Sequence, residues 1–238
     1  MQNGSQGKLS VVATPIGNLE DITLRALRVL KEADVVACED TRNTKKLLTH
    51  YDIHTPTVAF HAHSGEKGFA KIIEFLQEGK HVALVSDAGT PGVSDPGLEL
   101  VSVVRQELGS EAVIETIPGA SALAAAISVA GMKAVSFTFY GFLPVKKGRE
   151  KIMKEIAASP RAAVFYESPH RIHKSVNLLI TFLEEGGGEI SGRRVGIFRE
   201  LTKLYEDSFV GTPREALNYL ESDENHQRGE FVVVVEGK

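Results

Sequence analysis

The chain has 238 residues, enough for one large domain or two modest ones. It is 42% hydrophobic and 24% charged, as a soluble globular protein is, and no apolar run approaches the roughly 20 residues a membrane helix needs. A net charge of −4 excludes a global basic field for nucleic acid, and Cys38, the single cysteine, excludes disulfides and cysteine zinc clusters and fits a cytoplasmic protein.

Residues 1–8 are polar, lack the apolar core of a signal peptide, and are expected to be disordered. Leu9 to Thr14 reads as a first buried strand that leaves through Pro15-Ile16-Gly17-Asn18. Asp21 is placed to cap a helix carrying Leu24, Leu27 and Leu30 on its inner face. Asp34 to Cys38 is a second strand, ending in Glu39-Asp40-Thr41-Arg42, and Asn43 is placed to cap the helix of Leu47 and Leu48. Thr57 to Phe60 is a third strand leading to His61 and His63. No carboxylate stands beside these histidines in a metal pattern, so they read as polar loop residues rather than ligands. Phe69, Ile72, Ile73 and Leu76 have the i, i+3, i+4, i+7 spacing of a helix, which Gly79 closes.

The chain is organised around Val82 to Gly97. Val-Ala-Leu-Val-Ser is a short buried strand, and Asp87, Gly89, Thr90, Pro91, Gly92, Ser94, Asp95, Pro96 and Gly97 follow before a helix begins near Leu98. Ordinary connections run about 2–6 residues, and this one is longer and chemically dense. In open α/β sheets ligands bind outside the carboxyl ends of strands, and glycine lets backbone approach them closely. Ala112 to Ile117 is a fifth strand, entering Pro118-Gly119-Ala120-Ser121-Ala122 and an alanine-rich helix to about Ala130.

This alternation predicts a mostly parallel sheet with helices on both faces, forming a domain over residues 9–133. The pattern changes after Gly131 to Ala134. Over 134–238, an aromatic alternating strand (Ser136 to Phe142) precedes a charged helix start at Lys146 to Glu155 and a buried strand, Ala162 to Tyr166. A helix with Ile172, Val176, Leu179 and Leu183 is broken by Gly186 to Gly188, and strands at Val195 to Phe198, Ser208 to Val210 and Phe231 to Val235 complete a mixed sheet.

No G-x-G-x-x-G follows the first strand, and neither a G-x-x-x-x-G-K-[ST] loop nor a G-x-S-x-G elbow occurs. Hydride transfer to a dinucleotide, P-loop hydrolysis and α/β-hydrolase chemistry are therefore disfavoured. Three strand-end loops at residues 14–18, 86–97 and 118–122 should emerge on one edge of the first sheet. Rich in backbone groups and poor in charge, they suit a ligand with an adenine and an amino-acid tail better than a triphosphate.

Six ordered motifs extend the reading: V-A-T-P-I-G-N-L-E-D-I-T-L-R-A, C-E-D-T-R-N-T-K-K-L-L, S-D-A-G-T-P-G-V-S-D-P-G, I-P-G-A-S-A, F-Y-E-S-P-H-R and R-E-L-T-K. Together they resemble the ribosomal RNA small subunit methyltransferase I family of the tetrapyrrole methylase superfamily, from Leu9 to Gly237. The resemblance implies two α/β/α domains, the first sheet mostly parallel and the second mixed. It also implies a homodimer and S-adenosylmethionine in a cleft between the domains, with the second domain completing the cleft and contacting substrate. The methyl group would go to the 2′-hydroxyl of a cytidine in the 16S rRNA decoding centre. By position it assigns the cofactor pocket to Pro15, Gly17, Asp87, Ala88, Gly89, Thr90, Ser121, Ala122, Tyr166, Glu167, Leu201, Gly229 and Glu230.

For the hydroxyl's proton the candidates are Glu167, Glu200 and Lys203, with Asp40 and Arg42 beyond them. Each also reads as an ion pair holding a loop. Arg42, Lys146, Lys147, His170, Arg171 and Arg199 are the candidate RNA contacts, against which stands the reading of the lysine run as a solvated helix face. No metal is implied. Two other functions stay open: a small-molecule methyltransferase of the tetrapyrrole type, and a non-catalytic assembly factor that binds S-adenosylmethionine.

Overall fold

The computed structural model describes residues 6–60, 66–185 and 192–238. His61, His63 and the break at 186–188 lie outside them. The chain divides into two compact units, Met1–Ser121 and Ala122–Lys238.

The first unit holds strands β1 (Gly7–Val12), β2 (Val35–Cys38), β3 (Thr57–Ala59), β4 (His81–Leu84) and β5 (Ala112–Ile117). All pair in parallel, in the order β3-β2-β4-β1-β5. Helices α1 (Leu24–Glu32), α2 (Thr41–His50), α3 (Glu66–Gln77) and α4 (Gly97–Glu107) connect them. Strand side chains alternate between faces. Val35, Ala37, Val82 and Leu84 pack with Ile72, Leu76, Leu100 and Val104 of α3 and α4. Val36, Cys38, Ala83 and Val85 pack with Ala26, Leu30 and Leu48 of α1 and α2. Both faces are covered, so the strands read as unbroken apolar runs.

Three local expectations change. Gly7 and Lys8 belong to β1 and pair with Ala112 and Val113. The cap of α1 is Thr23, which accepts from the Ala26 N–H at 3.0 Å, while Asp21 ends a preceding 3-10 turn. Moving the start of the helix turns its inner stripe to Ala26, Val29 and Leu30 and leaves Leu24 86% exposed. The cap of α2 is Asp40 rather than Asn43, which lies inside the helix.

The second unit opens with α5 (Ala122–Val129) and continues through β6 (Phe137–Phe142), α6 (Arg149–Ala158), β7 (Ala162–Glu167), α7 (Ile172–Glu185), β8 (Val195–Arg199), β9 (Asp207–Gly211), α8 (Pro213–Ser222) and β10 (Phe231–Val235). Its sheet runs β6-β7-β10-β8-β9, with β6 parallel to β7 and the other pairs antiparallel. One face packs Phe165, Ile197 and Val233 against Met153, Ile156, Ile172, Val176 and Leu220 of α6, α7 and α8. The division falls one helix earlier than Gly131 to Ala134, because α5 contacts β10 and the Lys133 N–H donates to Glu236 Oε1 at 2.9 Å. A helix packed on the second sheet cannot belong to the first unit, although its alanines continue the first unit's rhythm.

Among the described residues no helix is long and apolar enough to cross a membrane, and no cluster of three His, Cys, Asp or Glu side chains is arranged to hold a metal ion.

Candidate functional sites

In the first sheet β4, β1 and β5 are neighbours, so their carboxyl ends share an edge. From β1 the chain crosses to β2 on one side, and from β4 it crosses to β5 on the other. The β4–β1 pair is thus the topological switch point of an open sheet. The three expected loops interlock there. Thr14 and Gly89 exchange both backbone hydrogen bonds, at 2.9 and 3.0 Å, and Thr90 Oγ1 donates to Ala120 O at 3.0 Å. Asp95 Oδ1 accepts from the Gly92 and Gly97 N–H groups at 2.8 and 2.7 Å, closing the proline-glycine turn. Gly89 has φ +80°, and a Cβ there would lie 3.2 Å from Ile16 Cγ2. Its lack of a side chain therefore serves the loop itself, not only a ligand's approach.

A groove of about 180 Å³ opens beside this edge, bounded by Thr14, Pro15, Asn43, Leu47, Ser86 and Asp87. Asp87 and Ala88 are exposed, Gly17 is exposed, and Pro15, Thr90 and Ser121 are half-buried. Asn43 Nδ2 donates to Asp87 Oδ2 at 3.4 Å. Of these, Thr14 and Ser86 were expected only as members of the strand-end loops and Asn43 only as a helix cap, and Glu39 went unassigned. The signal for Glu39 was its place directly after β2, whose end adjoins that of β4 in the sheet. Its carboxyl is pushed up to about 7 by burial and by the charges of Asp95 and Asp87, against a hydrogen bond from the Asp87 N–H. Three carboxyl groups therefore gather at an edge expected to be poor in charge, and burial and mutual repulsion favour the neutral form of Glu39. Asp40 does not join it as a free base. Its carboxylate accepts from the Arg42 N–H at 2.8 Å and from the Arg42 guanidinium at 2.7 Å, and these bonds hold its pKa down at about 2.

In the second sheet one edge gathers the ends of β6, β7 and β8 and the starts of β9 and β10, with Glu167 opposite Phe231 and Arg199 opposite both Phe231 and Asp207. The expected second-unit residues meet here. The Tyr166 hydroxyl accepts from the Leu123 N–H at 3.2 Å, and its ring meets Phe139 and Phe142 edge-on. Leu201 is buried. Lys203 Nζ lies 2.8 Å from Glu200 Oε1 and 2.9 Å from Glu230 Oε2. Burial pushes the Glu200 carboxyl up, but the hydrogen bonds from Lys203 and from the Glu230 N–H outweigh it and hold it below its ordinary value. Burial likewise pushes the Lys203 ammonium down, and its two carboxylate partners more than reverse this. Gly229 has φ +88°, and a Cβ there would come 2.4 Å from Glu200 Cγ. Its absent side chain makes room for Glu200.

Glu167 is placed differently from a catalytic carboxylate. Its side chain is fully buried, paired with Arg149 at 2.8 Å and Arg171 at 2.9 Å, and it accepts from Ser175 Oγ at 2.6 Å and the Ser168 N–H at 2.9 Å. Arg171 also donates to Leu143 O at 2.9 Å, so it is tied inward rather than offered to a nucleic acid. Arg199 is buried, and among the described residues its Nε has no hydrogen-bond partner. Lys146, Lys147 and His170 are exposed, the lysines in the turn before α6.

A family model described as tetrapyrrole (corrin/porphyrin) methylases matches residues 8–217. The chain is 46% identical to the ribosomal RNA small subunit methyltransferase I of Halalkalibacterium halodurans, over 99% of this chain and 78% of that one. The protein of the same name from Thermotoga maritima is 42% identical, over 98% of this chain and 99% of its own. Among solved structures, a uroporphyrin-III C-methyltransferase of Thermus thermophilus superposes with a TM-score of 0.64 at 20% identity, covering 97% of this chain and 94% of that one. A cobalt precorrin-4 methyltransferase does so with a TM-score of 0.67 at 17% identity, covering 100% and 97%. At these identities the two structures speak for the fold alone.

Proposed function

The chain belongs to the tetrapyrrole methylase family, and from that premise we propose that it is a cytoplasmic S-adenosylmethionine-dependent methyltransferase of the small-subunit ribosomal RNA. Its target is the 2′-hydroxyl of a cytidine in the 16S decoding centre, as the sequence motifs imply. The observation that carries the reading is the 46% identity to a small-subunit rRNA methyltransferase over 99% of the chain. The solved tetrapyrrole enzymes lie far lower, at 17–20% identity, which is why the small-molecule reading ranks second.

The first unit's edge fits the cofactor. S-adenosylmethionine carries a sulfonium and an ammonium, and the carboxylates of Asp87 and Asp95 supply a matching negative charge there. Backbone groups of Pro15, Gly17, Ala88, Gly89, Thr90 and Ser121 stand beside them on the same interlocked loops. The bound cofactor contributes an electrophilic methyl group on sulfur. The protein's contribution is chiefly positioning, which by itself lowers such barriers substantially. Glu200, held ionised by Lys203, is a weak base, and we assign the Glu200–Lys203–Glu230 cluster to shaping the edge of the second sheet. Lys146, Lys147 and His170 are the exposed groups there suited to phosphate. We further assign the half-exposed aromatic face of Phe137 and Phe142 to a two-fold homodimer.

The test is transfer of a labelled methyl group from S-adenosylmethionine to small ribosomal subunits that lack the modification, followed by nucleoside analysis. The expected product is 2′-O-methylcytidine. Label on a base, or label only on a tetrapyrrole acid, overturns the reading. Cofactor binding without any transfer would favour the assembly factor.

A further inference from the structure

The opposite edge of the second sheet carries a groove that the reaction does not use. It has a volume of about 550 Å³ and is lined by Lys133, Ser136, Arg161, Arg194, Glu236 and Lys238, among others. These come from the amino ends of β6, β7 and β8 and the carboxyl end of β10. The six residues of β7 separate it from the Glu167–Arg199 edge, roughly 17–20 Å at 3.3 Å per residue.

The wall of the groove is braced by Arg193, which stands between the lining residues Gly192 and Arg194. Arg193 is only 8% exposed, and its Nε donates to Glu236 O at 2.8 Å and its Nη1 to Ala157 O at 2.6 Å. It therefore satisfies the carboxyl end of α6 with carbonyl partners and no carboxylate. Glu236 is spent on its neighbours. Arg194 Nη2 lies 2.7 Å from its Oε1, and the backbone N–H groups of Lys133 and Arg194 donate to it at 2.9 and 3.1 Å. Among the lining residues Glu236 is the one carboxylate side chain, against the cationic side chains of Lys133, Arg161, Arg194 and Lys238. Lys133 and Arg161 are exposed, and among the described residues neither makes an ion pair.

We propose that this groove binds the phosphodiester backbone of the RNA substrate, at a second contact remote from the methyl-transfer edge. The proposal rests on the rRNA reading above and adds where the polyanion is held. A rigid scaffold with two free cations on its rim suits a chain of phosphates, because no partner charge must be displaced before they bind. A small tetrapyrrole acid could not reach from here to the other edge, whereas an RNA stem could.

The experiment uses the full chain and small ribosomal subunits. Binding is measured against salt, and methyl transfer is measured as kcat and KM for subunits. The variant is Lys133→Ala with Arg161→Ala. The control, Lys31→Ala with Arg105→Ala, removes the same charge from exposed helix positions of the first unit. The control should keep the wild-type slope of log K against log salt. For the groove variant that slope should be shallower by about 0.7–0.9 for each phosphate contact removed. Its KM should rise several-fold with kcat unchanged, as expected when binding is lost equally in ground and transition states. Equal slopes in groove variant and control overturn the proposal. A flattened slope in a protein that transfers no methyl group would support the groove and sink the methyltransferase reading, so the two fail separately.

Discussion

Replacing Glu167 with alanine should unfold the second unit's polar core before it affects chemistry. The carboxylate is fully buried between Arg149 and Arg171, whose side chains are 11% and 21% exposed. Removing it leaves the guanidinium groups of Arg149 and Arg171 without their shared counter-charge. Breaking a buried pair by deleting one partner costs about 3–5 kcal/mol, and the partial exposure of Arg171 favours the lower end. Against a total stability of about 5–15 kcal/mol that is a large fraction. At roughly 2–4 °C per kcal/mol for a chain of this size, the melting midpoint should fall by roughly 6–20 °C. Glu167→Gln keeps the shape and the serine contact, and should fall less. The assay pairs thermal unfolding by circular dichroism with initial methyl-transfer rates well below both midpoints. Per folded molecule, the rate should stay near wild type. A Glu167→Gln protein that melts like wild type while kcat collapses would refute the structural assignment and restore Glu167 as a catalytic group.

Two further outcomes follow from the site geometry. Glu39 titrates near 7 in the fold against an ordinary 4.5, so its contribution to stability is full below about 4.5 and is lost as pH rises to about 7. Glu39→Gln should therefore raise the melting midpoint at pH 8 and leave it unchanged at pH 4.5; parallel pH profiles for the two proteins would show that Glu39 is ordinarily solvated. Gly229→Ala should destabilise more than Gly148→Ala in urea titrations, by more than about 1 kcal/mol. Both positions have positive φ, but only at Gly229 would a Cβ meet another side chain, Glu200, and equal midpoints would mean that the Glu200 side chain simply moves aside.

The strands were legible from local pattern, because strands covered on both faces are continuous apolar runs. Val82 to Val85 and Phe231 to Val235 could hardly be anything else. The loop of Asp87 to Gly97 was legible too, since glycine, proline and aspartate at a strand end have few other uses. Helix caps were less so. Thr23 and Asp21 are equally good caps by type, and only the 3-10 turn at Leu19–Asp21 decides between them.

What the tertiary structure alone decided is which charges meet. Glu39, Asp87 and Asp95 come together because the parallel sheet aligns the ends of β2 and β4 across a long sequence separation. Glu167 and Arg171 stand four residues apart and read as a catalytic or RNA-binding motif. Their role as a buried ion pair depends on Arg149, which arrives from another element. The placement of α5 was also beyond the sequence, because its alanines suit either sheet and the packing against β10 makes the choice. Local sequence specifies backbone preference and apolar pattern. Burial and charge pairing are properties of neighbours that only the folded chain brings within a few ångströms.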